Sequence, residues 1–298
     1  MTPAASFSIA APAKINLYLH VTGTREDGFH LLDSLVAFAG IHDTLSFAAA
    51  DALSLEIDGP FASELTAEPD NLILQAARGL SELAGVPCGA RLSLNKRLPL
   101  ASGIGGGSAD AAATLKGLVR LWNIQPGEQE LHELALTLGA DVPVCLQGQA
   151  AFMGGIGEDL SPAPRLPAGS LVLVNPGVRL STPAVFKRGA DLGGQDSKPG
   201  RFDCVPKDLA ELVTILDARS NDLAPAAQQM VPVIGDVLAA LEGCDGALMA
   251  RMSGSGATCF GLFADPGEAA MATLKLFREH PDWWVRAGSL ESDISRLA

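Results

Sequence analysis

Polar and apolar positions alternate early in the chain. Over residues 7–22 apolar side chains recur at every second place (Ile15, Leu17, Leu19, Val21), which predicts a strand. Further strands are predicted at Ser34–Ala39, Asp43–Ala48 and Leu53–Ile57, divided by turn-like residues. The period then lengthens. Ile73, Ala76, Ala77, Leu80, Leu83 and Ala84 fall on one helical face, predicting a helix over Asn71–Ala84 stopped by Gly85. A short strand at Ala90–Leu94 leads into a glycine-rich stretch. From Gly107 the helical period resumes, with Leu115, Leu118, Val119 and Trp122 on one side. Gln129–Leu138 reads as another helix, ended by Gly139.

The second half predicts a strand at Leu171–Val174 before an Asn-Pro-Gly turn. Residues 189–207 are polar and glycine-rich and read as a mobile surface loop. A helix over Leu223–Leu241, two strands around a glycine turn between Ala247 and Ala264, a helix at Glu268–Phe277 and a strand at Trp283–Ala287 complete the pattern. An opening run of strands followed by mixed elements predicts an α+β protein in two halves that meet near residue 155.

Composition narrows the class. The 298 residues are 48% apolar, enough for one large domain or two modest ones. A formal net charge of -13 excludes the basic footprint of a nucleic-acid or anionic-membrane binder, so neither partner is expected. No apolar run approaches the ~20 residues of a membrane span. The first residues lack a basic region, and Pro12 and Lys14 interrupt their apolar part, so a secretory signal is not expected. Five scattered cysteines form no zinc or redox pair and suit a reduced cytoplasm.

The candidate chemistry begins at Leu98–Ala113, LPLASGIGGGSADAAA, between a predicted strand and a predicted helix. Its glycines can take positive φ, and successive amides can then converge on an anion at a helix N-terminus. Ser102 and Ser108 add hydroxyls for phosphate oxygens or a metal ion. Two familiar phosphate motifs fail here. A Walker A loop needs a lysine that this stretch lacks, and a dinucleotide fingerprint counted from Gly103 would place Ser108 where its third glycine belongs. Chemistry alone therefore says only phosphate. A second glycine turn, Met252-Ser-Gly-Ser-Gly-Ala-Thr258, reads equally as a tight hairpin or a ligand contact.

Three motifs in order, Ala11-Pro-Ala-Lys-Ile-Asn-Leu17, Leu98–Ala112 and Ser253-Gly-Ser-Gly-Ala-Thr258, resemble the GHMP kinase superfamily. The resemblance implies an ATP-binding N-terminal domain over 1–155, a substrate-binding C-terminal domain over 156–298, and an active site in the cleft between them. It implies ATP as co-substrate, cradled by Pro99, Leu100, Ala101, Ser102, Gly103, Ile104, Gly105, Gly106, Gly107, Ser108 and Ala109. Mg2+ is expected with the ATP, with Ser108 as its one protein ligand.

The stretches Pro12–Leu17, Gly28-Phe-His30, Leu138-Gly-Ala-Asp-Val-Pro143 and Thr182-Pro-Ala-Val-Phe186 are similar to a branch whose acceptor alcohol is linked to cytidine diphosphate. Homoserine and mevalonate kinases are the alternative within the superfamily, and a non-catalytic nucleotide binder is the alternative outside it. By this resemblance Asp141 is the base and Lys14 the cation that keeps it ionised and polarises the acceptor oxygen. Without it, Asp141 reads as a helix-end residue and Lys14 as a strand-edge charge. Asn16, two places after Lys14 and so on the same strand face, is a substrate contact. Phe29 and Phe186 are expected to sandwich the cytosine, with His30 at its polar edge and Thr182 at the diphosphate. Phe29 departs from the tyrosine expected there, though stacking needs only the ring face. The expected partners are small-molecule substrates, for a monomer or weak homodimer.

Overall fold

The structure is a computed structural model and describes residues 6–65, 71–193 and 196–297. Two long strands, β1 (Phe7–Thr24) and β2 (His30–Ala48), pair antiparallel along almost their whole length. Ile15 and Leu17 share one face of β1 and pack in a core with Leu171 and Phe260, while Lys14 and Asn16 alternate with them. β2 is continuous where two strands were expected. Gly40 does not turn the chain. A Cβ there would lie 2.5 Å from Ser289 Oγ, so the glycine admits a crossing strand.

Next come β3 (Ser54–Asp58), α1 (Ala62–Leu65), α2 (Leu72–Ala84) and β4 (Arg91–Asn95). Asn71 caps α2 by accepting from the Ile73 amide at 2.9 Å, and Gly85 ends it at φ +63°. β4 lies between β3 and β2. The glycine stretch then opens α3 (Gly106–Trp122), which packs on the sheet and is followed by α4 (Glu128–Leu138) and α5 (Val142–Gln147). Val36, Phe38, Phe47, Leu80, Leu115 and Leu118 form the core beneath these helices.

A hairpin of β5 (Ala151–Gly154) and β6 (Asp159–Pro162) adds to β2. Residue 155, where the halves were expected to meet, lies in the turn of this hairpin, so the ladder holds residues 159–162 on the first half.

The second half contains β7 (Ser170–Asn175), α6 (Thr182–Asp191), α7 (Leu209–Asp217), α8 (Ala224–Met230) and α9 (Val233–Glu242). It continues with β8 (Ala247–Met252), β9 (Cys259–Phe263), α10 (Pro266–Glu279) and β10 (Trp284–Glu291). The long helix expected over 223–241 is broken by Pro232, which cannot donate to the helical ladder. The strand order is β3-β4-β2-β10-β7-β9-β8. The last strand, β10, joins the halves by pairing with β2 at Ala39 and with β7 along Ser170–Asn175.

The polar stretch expected to be mobile over 189–207 divides differently. Its start completes α6, and residues 194 and 195 lie outside the described residues. Beyond them the chain is pinned. Ser197 donates to the Val21 carbonyl at 2.8 Å, and the buried carboxylate of Asp33 accepts from the Gly200 amide at 2.6 Å and from Arg201 Nε at 2.8 Å. The Tyr18 hydroxyl donates to the same carboxylate, and burial raises its pKa far above the ordinary phenol range. No helix among the described residues is long and apolar enough to cross a membrane.

Candidate active site

A cavity of about 660 Å³ opens between the two halves. It brings together most of the residues marked by the sequence. Lys14, on β1, is buried at 4% exposure. Its ammonium donates to Asp141 Oδ2 at 2.9 Å and to Asn16 Oδ1 at 2.9 Å. Asp141 stands at the N-cap of α5, after the turn at Gly139, with its side chain 32% exposed. Asn16 is fixed in turn, donating through Nδ2 to Ser34 Oγ at 2.8 Å. Two residues 127 positions apart therefore form one ion pair with an open carboxylate edge.

The glycine loop is moulded onto this pair. Gly105 has φ +62°, and a Cβ there would sit 3.2 Å from both Cβ and Cε of Lys14 and 3.7 Å from Asp141 Oδ2. Only glycine lets the loop approach so closely. Gly103, at φ +78°, interlocks with the second glycine turn, where a Cβ would lie 2.4 Å from the Ser253 carbonyl oxygen. Ser253 Oγ donates to the Gly103 carbonyl at 3.0 Å and accepts from the Asn16 amide at 3.1 Å. All three sequence motifs thus meet at one place, and the second turn braces the first.

Pro99 to Gly103 and Gly105 to Ser108 line the cavity. Ile104 and Ala109, expected beside them, do not. The side chain of Ile104 is fully buried in the core and its carbonyl accepts from the Lys14 amide at 2.9 Å, while Ala109 faces the core from α3. Thr182 and Phe186 line the cavity from the first turns of α6. Thr182 Oγ1 lies 2.8 Å from Ser255 Oγ. Phe29 and His30 do not line the cavity. His30 stacks on Phe186 at 4.9 Å between ring centroids, and Phe29 is 57% exposed on a turn that Gly28 permits at φ +88°. The Phe186 ring thus rests on His30, without the gap a base would fill.

A buried triad that no sequence motif marks lies beneath the loop. Lys96, at the end of β4, is bound at 2.6 Å to both Asp43 and Asp110. A Cβ on Gly106 would be 3.3 Å from its Nζ. Burial pulls the Lys96 ammonium towards losing its proton, but the two carboxylates outweigh it and raise its pKa. Burial pushes Asp110 up to about 7 against the pull of Lys96. Its Oδ1 is buried without a hydrogen-bond partner. Asn71, Leu72 and Arg179 also line the cavity without having been marked. Cys145, behind Asp141, is pushed up to about 12 by burial, so its thiol is inert.

No group of three or more His, Cys, Asp or Glu residues forms a metal cage among the described residues. Mg2+ bound to ATP needs few protein ligands, because it keeps waters and takes phosphate oxygens. Ser108 and the unpartnered Asp110 Oδ1, on the first two turns of α3, are an oxygen donor set of that kind.

A strand-borne lysine, an aspartate at a helix start and a glycine loop that closes over them define a small-molecule kinase. The family models described as GHMP kinases N terminal domain and GHMP kinases C terminal match residues 71–149 and 205–282. The chain belongs to the GHMP kinases. Its relatives include a 4-diphosphocytidyl-2-C-methyl-D-erythritol kinase of Paramagnetospirillum magneticum, 54% identical over 96% of this chain and 99% of the relative. Another, of Rhodospirillum rubrum and with the same name, is 52% identical over 99% of this chain and 96% of that one. A crystal structure of 4-(cytidine 5'-diphospho)-2C-methyl-D-erythritol kinase superposes with a TM-score of 0.75 at 35% identity, covering 96% and 99% of the two chains. Homoserine kinase from Cytophaga hutchinsonii shares the fold, with a TM-score of 0.71 at 18% identity over 97% and 96% of the chains.

Proposed function

We propose that this protein transfers the γ-phosphoryl group of ATP to the 2-hydroxyl of 4-diphosphocytidyl-2-C-methyl-D-erythritol, a step of the non-mevalonate isoprenoid pathway. The observation that carries the reading is the Lys14–Asp141 pair at 2.9 Å beneath a glycine loop, within a cavity that spans both halves.

Phosphoryl transfer depends on positioning and on stabilising charge. Asp141 accepts the proton of the acceptor hydroxyl through its open carboxylate edge. Lys14 pairs with Asp141 and faces the oxygen as it gains charge, and Asn16 fixes the ammonium from the other side. The loop amides from Gly103 to Ser108 receive the ATP phosphates, helped by the positive end of α3. Ser108 and Asp110 would hold Mg2+ together with the phosphates, where it would supply further neutralisation of phosphate charge. Thr182, at the start of α6, takes the acceptor diphosphate.

Phe186 and Phe29 take the cytosine with His30 at its polar edge, which requires the His30–Phe186 stack to open. The names of relatives at 54% and 52% identity favour this acceptor over homoserine or mevalonate. In this reading the first half binds ATP and the second the acceptor. The protein works in the cytoplasm as a monomer or weak homodimer, without nucleic-acid or membrane partners.

A panel assay decides it. Purified protein with Mg-ATP is offered the cytidine-diphosphate alcohol, homoserine and mevalonate, and ADP release is followed. Turnover confined to the first is expected. Turnover with homoserine or mevalonate and none with the first would refute the assignment.

A further inference from the structure

We propose that Arg179 binds the phosphate chain of the nucleoside triphosphate, and that Glu64 holds its guanidinium at the cavity edge until the nucleotide arrives. The proposal rests on the reading of this cavity as an ATP site.

Three cations line the cavity among the described residues: Lys14, Lys96 and Arg179. The first two are buried and committed. Lys14 is bound to Asp141 and Asn16, and Lys96 to Asp43 and Asp110. Drawing either away would strand a charge in the interior, which is strongly unfavourable. Arg179 differs. Its side chain is 53% exposed, and the Glu64 carboxylate that pairs with it is 39% exposed. An ion pair so open to water contributes little, and a polyphosphate offers a guanidinium stronger, bidentate bonds. Exchange of partners is therefore downhill.

The backbone around Arg179 is held firmly, so only the side chain has to swing. Asn175, the last residue of β7, donates to Thr258 Oγ1 at 2.9 Å and accepts from the Gly177 amide at 2.8 Å. On the other side Leu180 is buried. The position also favours the nucleotide over the acceptor. Arg179 and Glu64 both flank Pro99 and Leu100, the opening residues of the glycine loop, in a smaller recess that adjoins the main cavity.

The test is an equilibrium titration with a non-hydrolysable ATP analogue and Mg2+, without acceptor, so an error in the acceptor's identity leaves it intact. Arg179→Gln is expected to weaken the analogue roughly tenfold or more while leaving AMP nearly unaffected. Glu64→Gln removes the competing carboxylate and should leave binding unchanged or tighten it, by up to about fivefold. Combined with Arg179→Gln it should have no further effect. Unchanged analogue binding in Arg179→Gln would overturn the proposal. So would an equal loss for AMP, or a loss in Glu64→Gln as large as in Arg179→Gln, since either marks a structural bridge. In steady-state assays, a raised KM for the diphosphate acceptor with an unaltered KM for ATP would overturn it too.

Discussion

Replacing Gly105 with alanine tests how the loop and the ion pair are fitted together. The residue sits at φ +62°, where a side chain costs about 1 kcal/mol. The new methyl would lie 3.2 Å from Cβ and Cε of Lys14. Carbon atoms prefer separations of about 3.5–4.0 Å, so the lysine must retreat by a few tenths of an ångström. Its 2.9 Å bond to Asp141 moves with it. A misplacement of about 1 Å at reacting groups costs on the order of a hundredfold, so this smaller one is expected to lower kcat roughly four- to tenfold. Stability should fall by about 1–2 kcal/mol. Gly107→Ala is the control. Its φ is not in the left-handed region, and its Cβ would meet only Leu72 Cδ1, at an ordinary 3.5 Å. As a helix position it should hold or gain stability by up to about 1 kcal/mol. Urea unfolding and kcat at saturating ATP check both variants. If Gly105→Ala matches the wild type in both measurements, or if the two variants lose stability equally, the close-approach reasoning is refuted.

Asp141→Asn is expected to lower turnover by about 10²–10⁴-fold while nucleotide titration stays near the wild-type value; unchanged ADP release would remove Asp141 from the chemistry. Phe186→Ala should raise the KM for the cytidine acceptor by about fivefold or more and leave the KM for ATP alone, as expected for a lost stacking face. Asp110 supplies a pH test. Burial pushes its folded pKa up to about 7, above the ~4 of an unfolded aspartate, so its contribution to stability is full below the latter and is lost as pH rises through the former. Wild type should therefore lose at least about 1 kcal/mol relative to Asp110→Asn between pH 5 and pH 8, read by urea unfolding at each pH. Parallel pH profiles for the two proteins would contradict this.

Local signals were legible wherever one element decides the outcome. The period over Ile73–Ala84 and the cap at Asn71 fix α2, and the two-residue step from Lys14 to Asn16 puts both on one strand face. Gly40 misled because a glycine that admits a crossing strand looks the same in sequence as one that turns the chain. α7 had its signal, with Asp208 capping Leu209, Leu212, Val213 and Leu216, but it followed a polar run that reads as loop. Lys96 was beyond reach. Nothing near it says that Asp43 and Asp110, distant in sequence, converge on its ammonium. Phe29 and His30 were marked by motif as site residues, but their placement depends on a turn and a stacking contact that no local pattern encodes.

The interlock between Gly103 and the turn at 252–258 bears on how the protein is made. Lys14, the glycine loop and Asp141 all leave the ribosome early, yet the carbonyl and hydroxyl of Ser253 that brace the loop come from the far end of the chain. The strand that joins the halves, β10, comes later still. A nascent chain therefore holds Lys14 and Asp141 long before it holds a braced glycine loop. Emergence of the Ser253 turn and of β10 is what completes the brace around the loop.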